Sequence, residues 1–487
     1  MKRYFFPTLL MLLPLVAIFL QIMRLTHGNF TYTLDDPYIH LALAENLWGG
    51  WYGINLGEVS APSSSVIWPF MLAPFAILGT WFAYAPLVLN ALFLAASGVV
   101  LMRIFMKQSL LVASLLAFSL MLFMNLYGLV FSGMEHNLQV LLVLLIAHGL
   151  LDSASLGKSS KSRALFYMAL VALPLVRYEG LAISVPVLMY GFFQGERKWA
   201  VIASLMLLAI LGLFTYFLYA NGLGYFPTSV MAKSAHASSS STLSNLMSNI
   251  KKYGFMLVPV AMICVHTFKT NRYFACMIAL VTLLHFVLGR HGWFGRYEVY
   301  YVIFILAISF RYLLDARKDM WVVVFVLPLA FANLIKVTLQ TPMASSNIYN
   351  QQVQMAEVAR ILDERVAVND LGLVALESKQ FVLDLAGLGS MEALKNLMSG
   401  REGSVWVPEL MHKKQVEHAI VYDFLFPKPA SNWIKVGELK LLQEQITPAD
   451  DVVAFYSTSP AAAARLKRAL ESLAALKRPG DYALTVY

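Results

Sequence analysis

Long apolar runs constrain this chain more than any other feature of its sequence. A helix needs roughly 17 to 25 apolar residues to cross a bilayer, because its backbone must satisfy its own hydrogen bonds in hydrocarbon. The runs cover residues 5–23, 84–102, 109–127, 136–151, 164–176, 180–194, 199–220, 254–268, 273–289, 298–314 and 320–338. With 59% hydrophobic and 13% charged residues, they predict a polytopic all-α membrane protein with about eleven transmembrane helices, the shorter ones extending or tilting.

The basic residues predict the orientation in the membrane. A formal charge of +9 could suggest nucleic acid, but most basic residues stand in short clusters beside apolar runs, where they mark the cytoplasmic side. The clusters are Arg103/Lys107, Lys158/Lys161/Arg163, Arg197/Lys198, Lys269/Arg272 and Arg317/Lys318. All five clusters fall on the cytoplasmic side if the short apolar stretch Val66 to Gly79 stays on the external side as a juxtamembrane helix. This stretch contains Pro69 and Pro74. We therefore expect a cytoplasmic N-terminus and no nucleic-acid partner.

The last third of the chain differs from the rest in composition and in its pattern of apolar residues. It has ordinary charge density and short strand-like runs at Val366–Asn369, His418–Tyr422 and Val452–Tyr456, which alternate with helical patterns. This alternation predicts a small α/β domain on the external side. We divide the chain into a transmembrane module at 1–338, with an external loop at 24–83 that contains juxtamembrane helices, and an external domain at 339–487.

Two adjacent carboxylates follow the first apolar run, in the segment 35–40, which reads Asp-Asp-Pro-Tyr-Ile-His. Asp35 or Asp36 could take a proton from an attacking hydroxyl while its neighbour binds a metal or orients the acceptor, with Tyr38 and His40 beside them. Repulsion between the two carboxylates would raise one pKa, as a base requires. The alternative is a helix start, since Asp caps helices and Pro suits the first turn. Both interpretations can hold together.

Glu135 and His136 open the fourth apolar run at its predicted external end. A helix N-terminus favours anions there, and Asp36 with Glu135 could complete a site for a divalent cation such as Mg²⁺, Mn²⁺ or Ca²⁺. The alternative is a polar cap at the membrane interface, which we favour for His136. No HExxH or CxxC spacing is present, so zinc has little support.

Cationic side chains stand among aromatic ones at three further external positions. Arg177 and Glu179 interrupt an apolar hairpin, where they form either a functional site or a structural salt bridge. Lys233 follows a Pro-Thr-Ser-Val-Met-Ala run, and Arg296 and Tyr297 directly follow Trp293-Phe294-Gly295. Arginine and lysine pair with phosphate while aromatic rings stack on sugars, so this mixture suits a phosphate next to a sugar. An ordinary interfacial belt is the alternative.

In their order along the chain, these motifs resemble those of the GT-C glycosyltransferases. The motifs are Asp35-Asp36 with Tyr38, Gly133-Met134-Glu135, Arg177-Tyr178-Glu179-Gly180, Pro227 to Lys233, and Trp293 to Tyr297. The segments 366–372 and 382–388 are similar to the C-terminal part of bacterial relatives of arabinofuranosyl and mannosyl transferases. The resemblance implies a multi-pass enzyme of the bacterial inner membrane, with its C-terminal domain in the periplasm, that takes a sugar from a polyprenyl-phosphate carrier.

The resemblance also implies roles for residues. The loop aspartate would be the base, which is Asp35 by comparison with protein mannosyltransferases and aminoarabinose transferases, and Asp36 by comparison with oligosaccharyltransferases. Lys233, Arg296 and Arg177 would hold the donor phosphate, transfer would invert the anomeric carbon, and the acceptor would be a hydroxyl of a glycan, lipid or protein. A metal is not required by all relatives. The alternative is a transporter or flippase, which predicts acidic residues in the middle of helices instead of at their external ends.

Overall fold

The computed structural model describes residues 2–152, 160–237, 242–316, 330–425 and 433–487. The described residues before 317 are mainly helical. Their α-helices are Lys2–Met11, Leu13–Leu25, Asp36–Trp48, Trp68–Leu72, Ala85–Ile104, Leu110–Phe123, Leu126–Phe131, His136–Leu151, Ser160–Val176, Leu181–Phe193, Arg197–Ala220, Thr228–Ala237, Thr242–Tyr253, Leu257–Phe268, Arg272–Leu288 and Val299–Ala316. Turns of 3₁₀ helix cover Ala73–Tyr84, Tyr178–Gly180 and Gly254–Met256.

Three helices in the described ranges are long and apolar enough to cross a membrane. They are Arg3–Leu25, Trp68–Ile104 and Arg197–Ala220. Four further apolar helices of 10 to 17 residues are shorter: Leu110–Phe123, His136–Leu151, Tyr178–Phe193 and Arg272–Leu288. The predicted GT-C-type fold with about eleven transmembrane helices is therefore wrong. The predicted crossing at 320–338 lies largely outside the described residues.

More membrane crossings were predicted than the structure has candidates for, because an apolar run can also form a helix that is buried inside the protein. An apolar run is what a membrane helix needs, and it is equally what a helix enclosed by other helices needs. In His136–Leu151, eleven of the sixteen residues are buried inside the protein. The most hydrophobic windows of Arg3–Leu25 and Arg197–Ala220 are only 22% buried. Hydropathy alone does not separate these two kinds of helix.

The stretch from Val66 to Gly79, expected to be juxtamembrane, forms a bent segment at the start of a longer helical run. Trp68–Leu72 continues into the 3₁₀ turns of Ala73–Tyr84, which break at Gly79, where φ is 56°. Ala85–Ile104 follows directly. Ile77 and Trp81 are 73% and 69% exposed, so this bent segment carries an outward apolar surface.

The C-terminal part contains a six-stranded mixed sheet. The strands are β1 (Val366–Val368), β2 (Val382–Asp384), β3 (His418–Val421), β4 (Ile434–Leu441), β5 (Val452–Ser457) and β6 (Tyr482–Val486). Their order is β2-β1-β3-β5-β4-β6. The pairs β1–β2 and β1–β3 are parallel and the others antiparallel. The three predicted strand-like runs thus form β1, β3 and β5.

Helices connect and cover this sheet, as parallel strands require. They are Gly372–Glu377, Met391–Met398, Gly403–Lys414 and Pro460–Ala475. The helices Ala332–Asn350 and Gln352–Leu362 lead into the sheet from the N-terminal part. Asn347, near the end of the first of them, donates to the Glu444 carbonyl at 3.0 Å and accepts from the Ile446 N–H at 2.7 Å. This helix therefore fixes the sheet to the helical part.

Candidate active site

The first loop is joined to the sheet through Asp35. Its Oδ2 accepts a hydrogen bond from the Gly372 N–H at 2.5 Å, and its Oδ1 accepts one from the Leu373 N–H at 2.9 Å. These donors begin the helix that follows the carboxyl end of β1. A Cβ atom at residue 372 would lie 2.0 Å from the Asp35 carbonyl oxygen, so only glycine permits this approach. Asp35 therefore holds the two parts of the chain together.

Burial raises the pKa of Asp35 to about 8, and the nearby Asp370 and Asp36 carboxylates act in the same direction. Asp370 stands between β1 and the helix Gly372–Glu377, where its Oδ2 accepts hydrogen bonds from Tyr422 at 2.6 Å and Gln352 at 2.8 Å. Burial raises the pKa of Asp370 as well. Asp35 thus belongs to a group of three carboxylates at the carboxyl end of β1.

Asp36 is the first residue of the helix Asp36–Trp48 and points to a different partner. Its Oδ2 accepts a hydrogen bond from Nη1 of Arg296 at 2.8 Å. The Asp36 side chain is 34% exposed, whereas that of Arg296 is 4% exposed. The residue before the helix is Asp35, whose side chain does not cap it. The predicted helix start is therefore present, with Pro37 in the first turn, although Asp35 supplies no side-chain cap.

Arg177 is buried between two glutamates. Its Nη1 lies 2.8 Å from Oε1 of Glu135 and its Nη2 lies 3.0 Å from Oε1 of Glu179. Ser64 Oγ accepts a weaker hydrogen bond from Nη1 at 3.4 Å. Two carboxylates beside one guanidinium give the group a net negative charge, which a nearby cation can balance. The sequence left open a mutual salt bridge or a functional site, and the salt bridge is present.

Tyr297 connects the two arginines. The guanidinium carbon of Arg296 lies 5.2 Å from the centre of its ring, and that of Arg177 lies 5.6 Å from the same centre. Both distances are within the range of cation–π attraction. Asp36, Arg296, Tyr297, Arg177 and Glu135 therefore form one connected set of residues, which we call the charged row. Sequence analysis named all five without predicting their order of contact.

Glu135 is completely buried at the far end of the charged row. Its Oε2 lies 3.9 Å from Nε2 of His40 and, among the described residues, has no hydrogen-bond partner. Gly133 makes this approach of the two segments feasible, because a Cβ there would lie 2.6 Å from Cβ of Pro37. His136 is also fully buried and begins the helix His136–Leu151. The Gly-Met-Glu motif thus packs directly on the Asp-Pro motif.

Tyr38 and Lys233 are two further residues that sequence analysis placed in the site. The Tyr38 hydroxyl accepts a hydrogen bond from the Tyr32 N–H at 2.9 Å, so it supports the loop. Lys233 lies in the helix Thr228–Ala237, but its side chain is outside the described part of the structure. Thr228, at the start of that helix, has its hydroxyl within hydrogen-bonding distance of the carbonyl oxygens of Ala61 and Leu388. The Pro-Thr motif therefore brings the first loop and the sheet domain together.

The suggested metal site does not fit the donor set. Asp36 is paired with Arg296 and Glu135 is paired with Arg177, so each proposed ligand already has a cation. In the described ranges, no group of three or more His, Cys, Asp or Glu residues is arranged to hold a metal ion. We derive no step through a metal.

A cavity of about 290 Å³ opens beside the charged row. Its polar and aromatic lining residues include Arg177, Glu179, Arg290, Tyr178 and Tyr297. Its apolar lining residues include Leu181, Ala182, Val230, Leu284 and Leu288. Arg296 does not line the cavity, whereas Arg290, six residues before it, does. The signal that could have identified Arg290 is its place between an apolar run and the aromatic residues Trp293 and Phe294.

Comparison with known families gives one partial match. The family described as "Domain of unknown function (DUF8728)" matches residues 346–456, which is less than a quarter of the 487 residues. The match begins at the end of the helix Ala332–Asn350, includes Asp370 and Gly372, and ends within β5. A comparison with curated proteins found no match. The similarity is confined to this segment, which contains the Gly372 and Leu373 N–H groups that donate to Asp35.

Proposed function

We propose that this protein is a membrane glycosyltransferase that moves a sugar from a polyprenyl-phosphate-linked donor to an acceptor hydroxyl on the non-cytoplasmic side. One observation carries the proposal, namely that the charged row lies directly beside a cavity lined by two arginines and three leucines. A polyprenyl phosphate has this combination of an anionic head and an apolar chain. The acceptor class is a glycan, a lipid or a protein.

The three long helices support a membrane location. Phe5, Leu13 and Leu20 on the first of them are 59% to 71% exposed, and exposed apolar surface of this extent indicates contact with lipid. Arg3 begins the first helix, Arg103 stands at the end of the second and Arg197 begins the third. If all three cross, these arginines share one side, which the positive-inside rule makes cytoplasmic. Asp36 would then lie on the opposite side, and the shorter apolar helices His136–Leu151 and Tyr178–Phe193, which follow Glu135 and Arg177, would extend from the cytoplasmic side to bring these two residues to it.

The cavity supports a role in binding the donor. Arginine pairs strongly with phosphate oxygens, and Arg177 and Arg290 both reach the wall. Tyr178 offers a ring on which a sugar can stack, whereas the ring of Tyr297 already contacts Arg177 and Arg296. Arg290 would stabilise the negative charge that develops on the phosphate as the sugar leaves, because Arg177 is already paired with Glu135 and Glu179. The leucines that line the cavity would hold the first isoprene units.

Asp36 is the better candidate for the base. Both oxygens of Asp35 already accept backbone hydrogen bonds, whereas a third of the Asp36 side chain is exposed. Arg296 orients the Asp36 carboxylate. In the proposed step the acceptor hydroxyl loses its proton to Asp36, and its oxygen forms a bond to the anomeric carbon. The bond from that carbon to the phosphate oxygen breaks, and polyprenyl phosphate leaves with the electron pair.

The experiment that tests the donor site uses the purified full-length chain in nanodiscs and decaprenyl phosphate. We expect decaprenyl phosphate to raise the melting temperature of the wild type, because ligand binding stabilises the folded state. Arg290→Ala should lose most of this increase, whereas Arg468→Ala, which removes an exposed arginine in the sheet domain, should retain it. Equal increases in both variants would contradict the assignment of the cavity. Transport of the lipid without sugar transfer would favour a flippase.

A further inference from the structure

Three consecutive serines stand in the first loop, at residues 63–65. All three are buried, since Ser63 and Ser65 are 1% exposed and Ser64 is 7% exposed. A hydroxyl has a proton to donate and an oxygen that accepts, and leaving a buried polar group without partners costs free energy. The hydrogen bonds of the three hydroxyls therefore show which of them support the loop and which is left for another role.

The two outer serines use their hydroxyls within the protein. The Ser63 hydroxyl donates to the Ser65 carbonyl at 2.7 Å and accepts from the Ser65 N–H at 3.0 Å. The Ser65 hydroxyl donates to the Leu175 carbonyl at 3.4 Å and accepts from the Trp68 N–H at 3.1 Å. Each of these two hydroxyls is both a donor and an acceptor, so both are structural.

The segment that carries the serines is fixed on both sides. Before them, the Ala61 carbonyl accepts a hydrogen bond from the Thr228 N–H at 3.1 Å. After them, the Val66 N–H donates to the Leu175 carbonyl at 3.0 Å. Leu175 precedes Arg177 by two residues, so this second contact holds the serines beside the charged row. The middle serine is therefore held in place before any ligand arrives, which lowers the entropic cost of a contact with it.

The middle serine, Ser64, lines the cavity of about 290 Å³ beside the charged row, which we call the donor cavity. Its Oγ accepts a hydrogen bond from Nη1 of Arg177 at 3.4 Å. Within the described ranges of the chain, no group accepts a hydrogen bond from the Ser64 hydroxyl. Of the three serine protons, the one at the donor cavity is thus the one that a ligand can take up.

The surroundings of Ser64 favour a ligand group that only accepts hydrogen bonds. The two side chains that meet here, Ser64 and Arg177, both offer donors. Phosphate oxygens accept hydrogen bonds without donating any. The charge of Arg177 is already shared by Glu135 and Glu179, so a neutral hydroxyl adds a donor without requiring a further buried cation. A hydrogen bond to a charged oxygen is also stronger than one between neutral groups.

We propose that Ser64 is a phosphate-binding residue of the donor cavity, which donates its hydroxyl proton to a phosphate oxygen of the polyprenyl-phosphate donor. This inference rests on the proposed function and adds to Arg290 a second, uncharged contact with the phosphate. Ser64 forms no bond to the sugar, and its proton stays on the serine. The contact should therefore strengthen the binding of the donor and of the polyprenyl phosphate that leaves.

The test compares two lipids that differ only in the phosphate, namely decaprenyl phosphate and decaprenol. Native mass spectrometry of the detergent-solubilised full-length chain measures the affinity for each. We expect Ser64→Ala to bind decaprenyl phosphate about tenfold more weakly, the factor implied by the loss of a hydrogen bond to a charged group, and to bind decaprenol as the wild type does. Ser309→Ala is the matched control. It removes a buried hydroxyl that already donates to the Ile305 carbonyl at 2.7 Å, and it should bind both lipids like the wild type.

The results separate this contact from the donor site itself. Equal affinity of the wild type and Ser64→Ala for decaprenyl phosphate would overturn the contact and leave the donor site in place. An equal loss of affinity for both lipids in Ser64→Ala would also overturn it, because the serine would then act on the shape of the cavity. If the wild type binds decaprenol as tightly as decaprenyl phosphate, the cavity does not recognise phosphate, and the donor site fails together with the contact.

Discussion

At the scale of single residues, the main finding is that the two adjacent aspartates have different partners. Asp35 accepts hydrogen bonds from the backbone of the sheet domain, and Asp36 accepts one from Arg296. Sequence reasoning identified the pair but could not separate its members. The difference depends on Gly372, which lies more than three hundred residues away, and no local pattern around the aspartates reports such a contact.

Substitution of Gly372 tests the role of Asp35. In Gly372→Ala the new methyl group would overlap the Asp35 carbonyl oxygen, and relief of the overlap should cost about 1–3 kcal/mol of stability. Thermal unfolding in detergent measures the loss. Gly212→Ala is the matched control, because no atom lies within 4 Å of the added Cβ. Equal melting temperatures in both variants would show that the first loop is not held at Gly372.

Substitution of Glu135 tests the charged row. Glu135→Gln leaves the buried Arg177 with one carboxylate, and breaking a buried pair costs about 3–5 kcal/mol. Glu179 is the internal comparison, since its side chain is 27% exposed and solvent can replace part of its charge. We expect Glu135→Gln to lower the melting temperature more than Glu179→Gln does. The reverse order would mean that Arg177 depends on the exposed partner.

At the scale of secondary structure, short helices and turns position the charged side chains of the candidate site. The helix Gly372–Glu377 presents its first N–H groups to Asp35, and the 3₁₀ turn Tyr178–Gly180 directs Arg177 inward and Glu179 toward the cavity. The three strand segments at 366, 418 and 452 could be predicted, because short apolar runs between turn signals are local features. Their parallel and antiparallel pairing could not, because it depends on contacts between distant segments.

The contact between Asp35 and the helix Gly372–Glu377 should depend on pH. The pKa of Asp35 is raised from 3.8 to about 8 in the folded chain, so the folded state binds more protons than the unfolded state between these values. Stability is therefore greatest at low pH within this window and falls as pH rises toward 8. Asp36, Asp370, Tyr38 and Tyr422 face the same carboxylate.

Thermal unfolding of the wild type and of Asp35→Asn across this pH range tests that dependence. Asparagine cannot ionise, so the fall in melting temperature between pH 5 and pH 9, roughly the interval around the raised pKa, should be smaller in the variant. Burial also raises the pKa of Asp384, to about 6. The melting temperature should therefore still fall somewhat with pH in both the wild type and Asp35→Asn. Identical slopes would mean that Asp35 does not titrate in this window.

At the scale of the whole molecule, helix length and burial decide the architecture. The apolar content of the sequence is high enough for about eleven crossings, yet only three described helices have the length and composition of a membrane span. Hydropathy reports the total apolar surface, and it does not report whether lipid or protein covers that surface. The position of the charged row depends on the packing of several helices and could not be derived from any single run.

The orientation of the three long helices can be measured by labelling. In a chain with Cys264 and Cys276 replaced by alanine, single cysteines are placed at Leu56 and Met106, which are 79% and 54% exposed. A membrane-impermeant maleimide should label Leu56→Cys in intact spheroplasts and Met106→Cys only in inside-out vesicles. Labelling of both positions from the same side would contradict the proposed location of Asp36.

Sugar transfer by the purified chain is the most direct test of the central claim. Wild-type protein, Asp36→Asn and Asp35→Asn are given decaprenyl-phosphate-linked arabinose, mannose or glucose with a neutral oligosaccharide acceptor, and the release of decaprenyl phosphate is followed. We expect the wild type to transfer one of these sugars and Asp36→Asn to lose about 10²–10⁴-fold in rate, the contribution of a general base. Asp35→Asn should lose far less. Absence of transfer by the wild type, or undiminished transfer in Asp36→Asn, would contradict the account.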